Sequence, residues 1–248
     1  MNMQRLVDRY YSDPKYDGPT IFYDWIRELA LPSYRVLNLG AGPATRNTKR
    51  NLRGTVSELV GADFDAVVLD NDELDRAYVI ESGKIPIDDG YFDLIFSDWV
   101  VEHVEHPEEF LSEVHRLLKP GGSFLFRTPN KHHYTALVSR FTPHWFHKKV
   151  ANQARRLGKD AHEPWPTFYR MNSRRRLRQL ARNAGFGTVE MRMVEFEPAY
   201  LRFHFVPFLL GIVYERAVNS SDLFQGIRVN ILGRFQKPQT PNGAPRHS

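Results

Sequence analysis

Residues 36–44, VLNLGAGPA, set a short apolar run directly against Gly40, Ala41, Gly42 and Pro43. Small residues at a strand end let a ligand come close to the backbone, and the N–H groups of a helix starting beyond such a turn attract electron-rich groups. Asp63 ends LVGAD, twenty-three residues after Gly40. A carboxylate there can accept both hydroxyl protons of a ribose. The two features together predict a nucleoside-bearing cofactor gripped between two strand ends. The chain has no cysteine, which excludes a thiol nucleophile, a zinc ribbon and a disulfide framework.

Strands must hold these residues, and the sequence supplies them. Short apolar or β-rich runs predict strands at 34–39, 56–62, 77–81, 92–97, 123–128, 188–196 and 227–235. Helical periodicity predicts helices at 21–30, 107–118 and 173–184. In the second of these, Pro107 suits the first helical position, and Phe110, Leu111, Val114, Leu117 and Leu118 share one face. Lys119-Pro120-Gly121-Gly122 stops that helix. Strands alternating with helices through short turns predict an α/β fold whose parallel sheet is covered on both faces. The run 205–214, FVPFLLGIVY, is too short to span a bilayer and predicts a buried helix.

A glycine turn with a distant ribose acid occurs in nicotinamide-dependent oxidoreductases and in S-adenosylmethionine-dependent methyltransferases. Three further stretches separate the two: IPIDDGYFDLIFS at 85–97, Val101-Glu102-His103-Val104, and LLKPGG at 117–122. In order and spacing they resemble the class I methyltransferases, in particular the branch holding ubiquinone and menaquinone methyltransferases and many small-molecule and sugar methyltransferases. The resemblance is dense over 34–130 and looser over 173–196. It implies a doubly wound, Rossmann-like sheet of seven strands in the order 3-2-1-4-5-7-6 with the last antiparallel. It also implies S-adenosyl-L-methionine as cofactor. Gly40, Ala41 and Gly42 would cradle its amino-acid part, and Asp63 would hold the ribose. Phe64 would pack on the adenine, Glu81 and Ser82 would meet the adenine edge, and Ser97, Asp98 and Trp99 would line the floor under the methionine portion.

Two positions depart from that family's pattern. Asn38 stands where an acid is usual and can meet the cofactor's ammonium group only through its carbonyl oxygen. Ala44 replaces a third glycine. Transfer of a methyl group from a sulfonium chiefly needs alignment, and a hydroxyl acceptor also needs a base. His103, after the fourth strand, is one candidate; His133, in Lys131-His132-His133-Tyr134 past the fifth, is the other. No spacing of His and acidic residues matches a metal-ligand cluster, so no metal is expected.

The net charge of +5 conceals a division. Residues 1–130 carry 14 Lys/Arg against 22 Asp/Glu, residues 131–192 carry 14 against 3, and the remainder 6 against 4. The expected organisation is a helical extension at 1–33, a methyltransferase domain at 34–236 with a cap inserted at 131–172, and a disordered tail at 237–248. The cap brings Trp145, Phe146, Trp165, Phe168 and Tyr169 as flat faces for a sugar or aromatic acceptor, and arginines for a phosphate or carboxylate. The expected partner is a small or glycan-type acceptor, open to being anionic. The acidic first half argues against nucleic acid. Membrane-surface binding through 200–213 is the weaker reading of that stretch beside burial. The first residues, MNMQRLVDRYYSD, lack the apolar core of a secretory signal, so a cytoplasmic protein is expected.

Overall fold

The computed structural model describes residues 2–136 and 165–239. Seven strands form one sheet: β1 (Arg35–Leu39), β2 (Glu58–Asp63), β3 (Arg76–Val79), β4 (Phe92–Asp98), β5 (Leu118–Pro129), β6 (Thr188–Val194) and β7 (Asn230–Gln236). Their order is β3-β2-β1-β4-β5-β7-β6, with β7 antiparallel to both neighbours and the other pairs parallel. The expected topology is the observed one. The helices are α1 (Met3–Tyr11), α2 (Gly18–Leu29), α3 (Pro107–Leu117), α4 (Arg174–Asn183) and α5 (Phe205–Asn219).

Alternation along the strands builds the two apolar layers. Leu37, Ile95, Phe124 and Phe126 point to one face and pack under Leu111, Val114 and Leu117 of α3 and Leu177 and Leu180 of α4. Val36, Leu94, Phe96 and Leu125 point to the other and pack under Phe22, Tyr23, Trp25 and Ile26 of α2. A smaller cluster joins Leu6 and Val7 of α1 to Phe208 and Ile212 of α5.

Several local expectations are corrected. No helix follows the glycine turn; residues 43–57 are a series of turns. Local side chains compete for the backbone there: Thr45 Oγ1 accepts from Asn47 N, Asn47 Oδ1 from Lys49 N, and Asn51 Oδ1 from Arg53 N. Such bonds hold the chain in turns where a helix would need those amides. The N-terminal extension holds two helices rather than one. Strand β5 begins at Leu118, because a register shift opposite Phe92 and Leu94 absorbs the Pro-Gly-Gly stretch.

Helix α5 is buried on one side only. Phe208, Gly211, Ile212 and Val218 face inward, whereas Phe205, Val206, Leu210 and Val213 face outward, the last two about 65% exposed. The first residues of the expected tail are tied down, since Lys237 N donates to Gly122 O and Lys237 Nζ to the carbonyls of His115 and Leu118. Most of the expected cap, with Trp145 and Phe146, lies outside the described residues, as does the tail beyond Gln239. Among the described residues no helix is long and apolar enough to cross a membrane.

Candidate active site

The C-terminal ends of β1, β2 and β4 converge on the glycine turn. Gly40 has φ +80°, and a Cβ placed on it would lie 2.2 Å from Val100 Cγ2. Only glycine meets both demands. Gly40 N and Ala41 N donate to Ala62 O at 2.7 and 3.3 Å, which folds the turn back over β2. Gly42, at φ +56°, has open space around it. Its N–H donates to Asp63 Oδ2 at 2.9 Å, and its carbonyl accepts from Asn71 Nδ2 at 2.9 Å. Asp63 Oδ1 accepts from Asp65 N, so both oxygens are fixed by backbone amides, and each retains acceptor capacity for a ligand hydroxyl. Phe64, beside it, is 60% exposed, so its ring is open to a ligand.

Glu81 and Ser82 lie at the end of β3. Lys84 N donates to Glu81 O, and Ser82 and Gly83 both have positive φ (51° and 74°), the mark of a mirror-image turn. Ile80 N donates to Asp63 O, so this turn and the Asp63 loop lie side by side.

Under the glycine turn is a cavity of about 90 Å³ whose lining includes Tyr23, Asn38, Gly40, Arg50, Glu73 and Asp98. Asn38 is paired in register with Gly61 on one side and Phe96 on the other. Arg50 places its guanidinium 5.9 Å from the centre of the Tyr23 ring, and its buried Nε has no hydrogen-bond partner among the described residues. Burial, with Asp98 next in weight, holds the Tyr23 phenol protonated well above the usual tyrosine range. An unsatisfied cationic group, carboxylates and an amide around one small cavity suit a zwitterionic amino-acid head, with acids for its ammonium and Arg50 for its carboxylate.

Asp98 itself is engaged. Arg127, 1% exposed, donates to it twice, Nε to Oδ1 at 2.6 Å and Nη2 to Oδ2 at 2.9 Å. The same guanidinium lies 5.4 Å from the Trp99 ring and 6.0 Å from Phe22. Trp99, with φ +60° and its N–H bonded to Arg127 O, is thereby held across the end of β4. Ser97 is fully buried, and its Oγ has no partner among the described residues.

The two candidate bases differ. His103 sits in a short 3-10 turn, Val101–His103, with Nδ1 2.8 Å from Pro166 O. A carbonyl only accepts, so Nδ1 carries the proton and the neutral ring keeps its lone pair on Nε2. His133 is 2% exposed; its Nδ1 accepts from Thr135 N and meets Thr135 Oγ1, while Nε2 faces buried Glu195 at 3.4 Å. That arrangement fixes the His133 ring between protein groups.

Glu102, next to His103, lies in the Val101-Glu102-His103-Val104 stretch, which by itself assigns it no role. It accepts from Thr128 Oγ1 at 3.0 Å, which accepts from Asn172 Nδ2 at 2.7 Å. Burial pushes its carboxyl pKa up to about 7. Its backbone carbonyl accepts from Phe168 N and Tyr169 N, so residues 166–172 are stapled along the loop that carries His103. Among the described residues, no group of three His or acidic side chains is gathered as a metal site.

This strand order, with its antiparallel seventh strand and glycine turn facing a strand-end acid, defines the class I S-adenosylmethionine-dependent methyltransferase fold, and residues 37–126 match the methyltransferase-domain family. The matched stretch, 37–126, is similar to a methyltransferase domain, which favours S-adenosylmethionine chemistry over the oxidoreductase alternative. It is 29% identical over 126 residues to a ubiquinone biosynthesis O-methyltransferase of Pseudomonas syringae, covering 48% of this chain and 54% of the relative. The chain spans about half or less of the length of the curated relatives it matches, 27% and 47% of two others. Among solved structures it is similar to a chain of the Haloferax volcanii complex of the Trm112 methyltransferase activator with a methyltransferase. There the TM-score is 0.57 at 19% identity, over 96% of this chain and 94% of that one. It is also similar to the [4+2]-cyclase SpnF, with TM-score 0.56 at 16% identity over 89% and 81% of the two chains. These likenesses are likenesses of fold, and the cyclase shows that the fold alone does not name a reaction.

Proposed function

We propose that the chain is a methyltransferase that uses S-adenosyl-L-methionine to methylate a hydroxyl oxygen of a small acceptor such as a sugar. What supports the reading is the 2.8 Å contact of His103 Nδ1 with Pro166 O: a carbonyl only accepts, so Nδ1 carries a proton and Nε2 is the nitrogen left to act as a base. An oxygen acceptor must lose its proton as it is methylated, and an imidazole nitrogen can take it. The cofactor, when bound, supplies a methyl group on a positively charged sulfur, which leaves as a neutral thioether with the bonding pair.

The remaining roles belong to the chain. Asp63 binds the ribose hydroxyls, Phe64 covers the adenine, and Glu81 and Ser82 meet its edge. Arg50 receives the amino-acid carboxylate, and Asn38 with Glu73 and Asp98 receives the ammonium group. Asn38 thus keeps a carboxylate close by although it bears none itself. Arg127 holds Asp98 and Trp99 so that the floor of the site is in place before anything binds. His103 Nε2 takes the hydroxyl proton as the carbon–oxygen bond forms, and Pro166 O steadies the resulting imidazolium through Nδ1.

Incubation with isotopically labelled methyl donor and fractionated cell extract, followed by mass spectrometry, tests this. Label on an oxygen together with S-adenosylhomocysteine is expected. Label on nitrogen or carbon, or cofactor bound without turnover on any fraction, overturns it.

A further inference from the structure

Helix α4 reads RRRLRQLARN and buries Leu177, Leu180 and Ala181. Of its five arginines, Arg176 meets Glu108 at 2.7 Å. Arg174, Arg178 and Arg182 recur every fourth residue, which sets them in a stripe with a rise of about 6 Å between neighbours, and Arg175 lies beside it. None of these four has a carboxylate partner among the described residues, whereas Arg27, Arg46, Arg53, Arg116, Arg202 and Arg228 all do.

The stripe works against its own helix. Like charges four residues apart repel, and cations in the first turn oppose the positive end of the helix dipole. The first turn holds no acidic residue to offset them. Arg174 registers the crowding: burial and the charge of Arg178 hold its pKa below the usual arginine range, and its buried Nε has no hydrogen-bond partner among the described residues. An open groove of about 680 Å³ lies against Arg174, Arg175, Arg178, Gln179, Arg182 and Asn183. Its upper end adjoins the site, because Asn172, two residues before Arg174, is bonded to Thr128 and Pro129 at the end of β5.

We infer that this arginine stripe binds phosphate groups of the acceptor, a ligand carrying a diphosphate or several phosphates, so that its charged part lies along α4 while its hydroxyl reaches His103. The word acceptor here rests on the methyl-transfer reading; the anion site does not. Guanidinium groups bind phosphate through paired hydrogen bonds, and a ligand with successive phosphates can satisfy several turns of the stripe. Among the described residues the groove presents no aromatic ring of the kind that grips single-stranded nucleic acid, and no apolar side chain to enter a bilayer.

Calorimetric titration of the full chain with inorganic pyrophosphate and tripolyphosphate, at low and near-physiological salt, tests the site. Both are expected to bind, tripolyphosphate more tightly. Arg174→Gln with Arg178→Gln should weaken either by ~10-fold or more, while Arg5→Gln on exposed α1 leaves them unchanged. Arg178→Gln alone should show a smaller loss in the same direction. Without ligand the double variant should melt no lower than the parent, since a repulsion has been removed, and pyrophosphate should raise the melting temperature of the parent only. Equal pyrophosphate affinity in parent and double variant overturns the site. So does a parent that ignores both phosphates yet binds single-stranded RNA or phosphatidylglycerol vesicles. S-adenosylhomocysteine titrated in parallel keeps the two ideas apart: phosphate binding without S-adenosylhomocysteine binding sinks methyl transfer and leaves the anion site standing.

Discussion

Asp63 Oδ2 accepts the amide proton of Gly42 at 2.9 Å, so one carboxylate on β2 closes the turn that ends β1. The shape of the glycine turn and, in the proposed reading, the anchor for the ribose therefore depend on the same side chain. Asp63→Ala should weaken S-adenosylhomocysteine binding ~10- to 100-fold through the loss of charge-assisted bonds. Calorimetry showing parental affinity would remove Asp63 from the site.

Gly40 and Gly42 should respond differently to the same change. Gly40→Ala meets Val100 and a positive φ, and is expected to cost about 2–3 kcal/mol of stability. Gly42→Ala meets only the positive φ and should cost about 1 kcal/mol. Urea unfolding of both, with Val100→Ala as partial rescue of the first, checks the order.

The Arg127–Asp98 pair is enclosed on both sides, at 2% and 9% side-chain exposure. Asp98→Asn strands a buried guanidinium and should destabilise by about 3–5 kcal/mol. Arg127→Met should also destabilise, and the double variant should lose less than the sum. Strict additivity in a urea double-mutant cycle would show that the two are not coupled.

Glu102 carries a pH signature. Burial raises its folded pKa from 4.5 to about 7, so the folded state holds a proton that the unfolded state has released. Its contribution is therefore complete below about pH 4.5 and falls as pH rises to about 7, by at most ~3 kcal/mol. Glu102→Gln should flatten that part of the stability curve. A parental slope in the variant would assign the titration elsewhere.

His103→Ala should lower kcat ~10²- to 10⁴-fold and leave S-adenosylhomocysteine affinity unchanged. Retained turnover would retire His103 as the base.

The strands were legible because each is a compact apolar run and the glycine turn and Asp63 sit at their ends. The turns at 43–57 were not, because Thr45, Asn47 and Asn51 bond to amides two residues on, a choice that apolar periodicity does not register. Arg127 reads in sequence as one charge in an apolar strand, SFLFRT; its pairing with Asp98 appears only when β4 and β5 come into register. Arg50 and Glu102 were missed for the same reason, since their partners or their solitude depend on segments distant in the chain. For α5, hydrophobicity suggested burial, but among the described residues only one of its sides has a neighbour to pack against.

The place of β7 has a consequence for how the polypeptide is made. It lies between β5 and β6, and its pairing runs to Gln236 opposite both Ser123 and Thr188. A nascent chain emerging from the ribosome thus shows a bare β5 edge until nearly the last described residue has been synthesised. During that interval the unpaired strand is open to mispairing with another chain, so truncation just before Asn230 should yield aggregates rather than a smaller working protein.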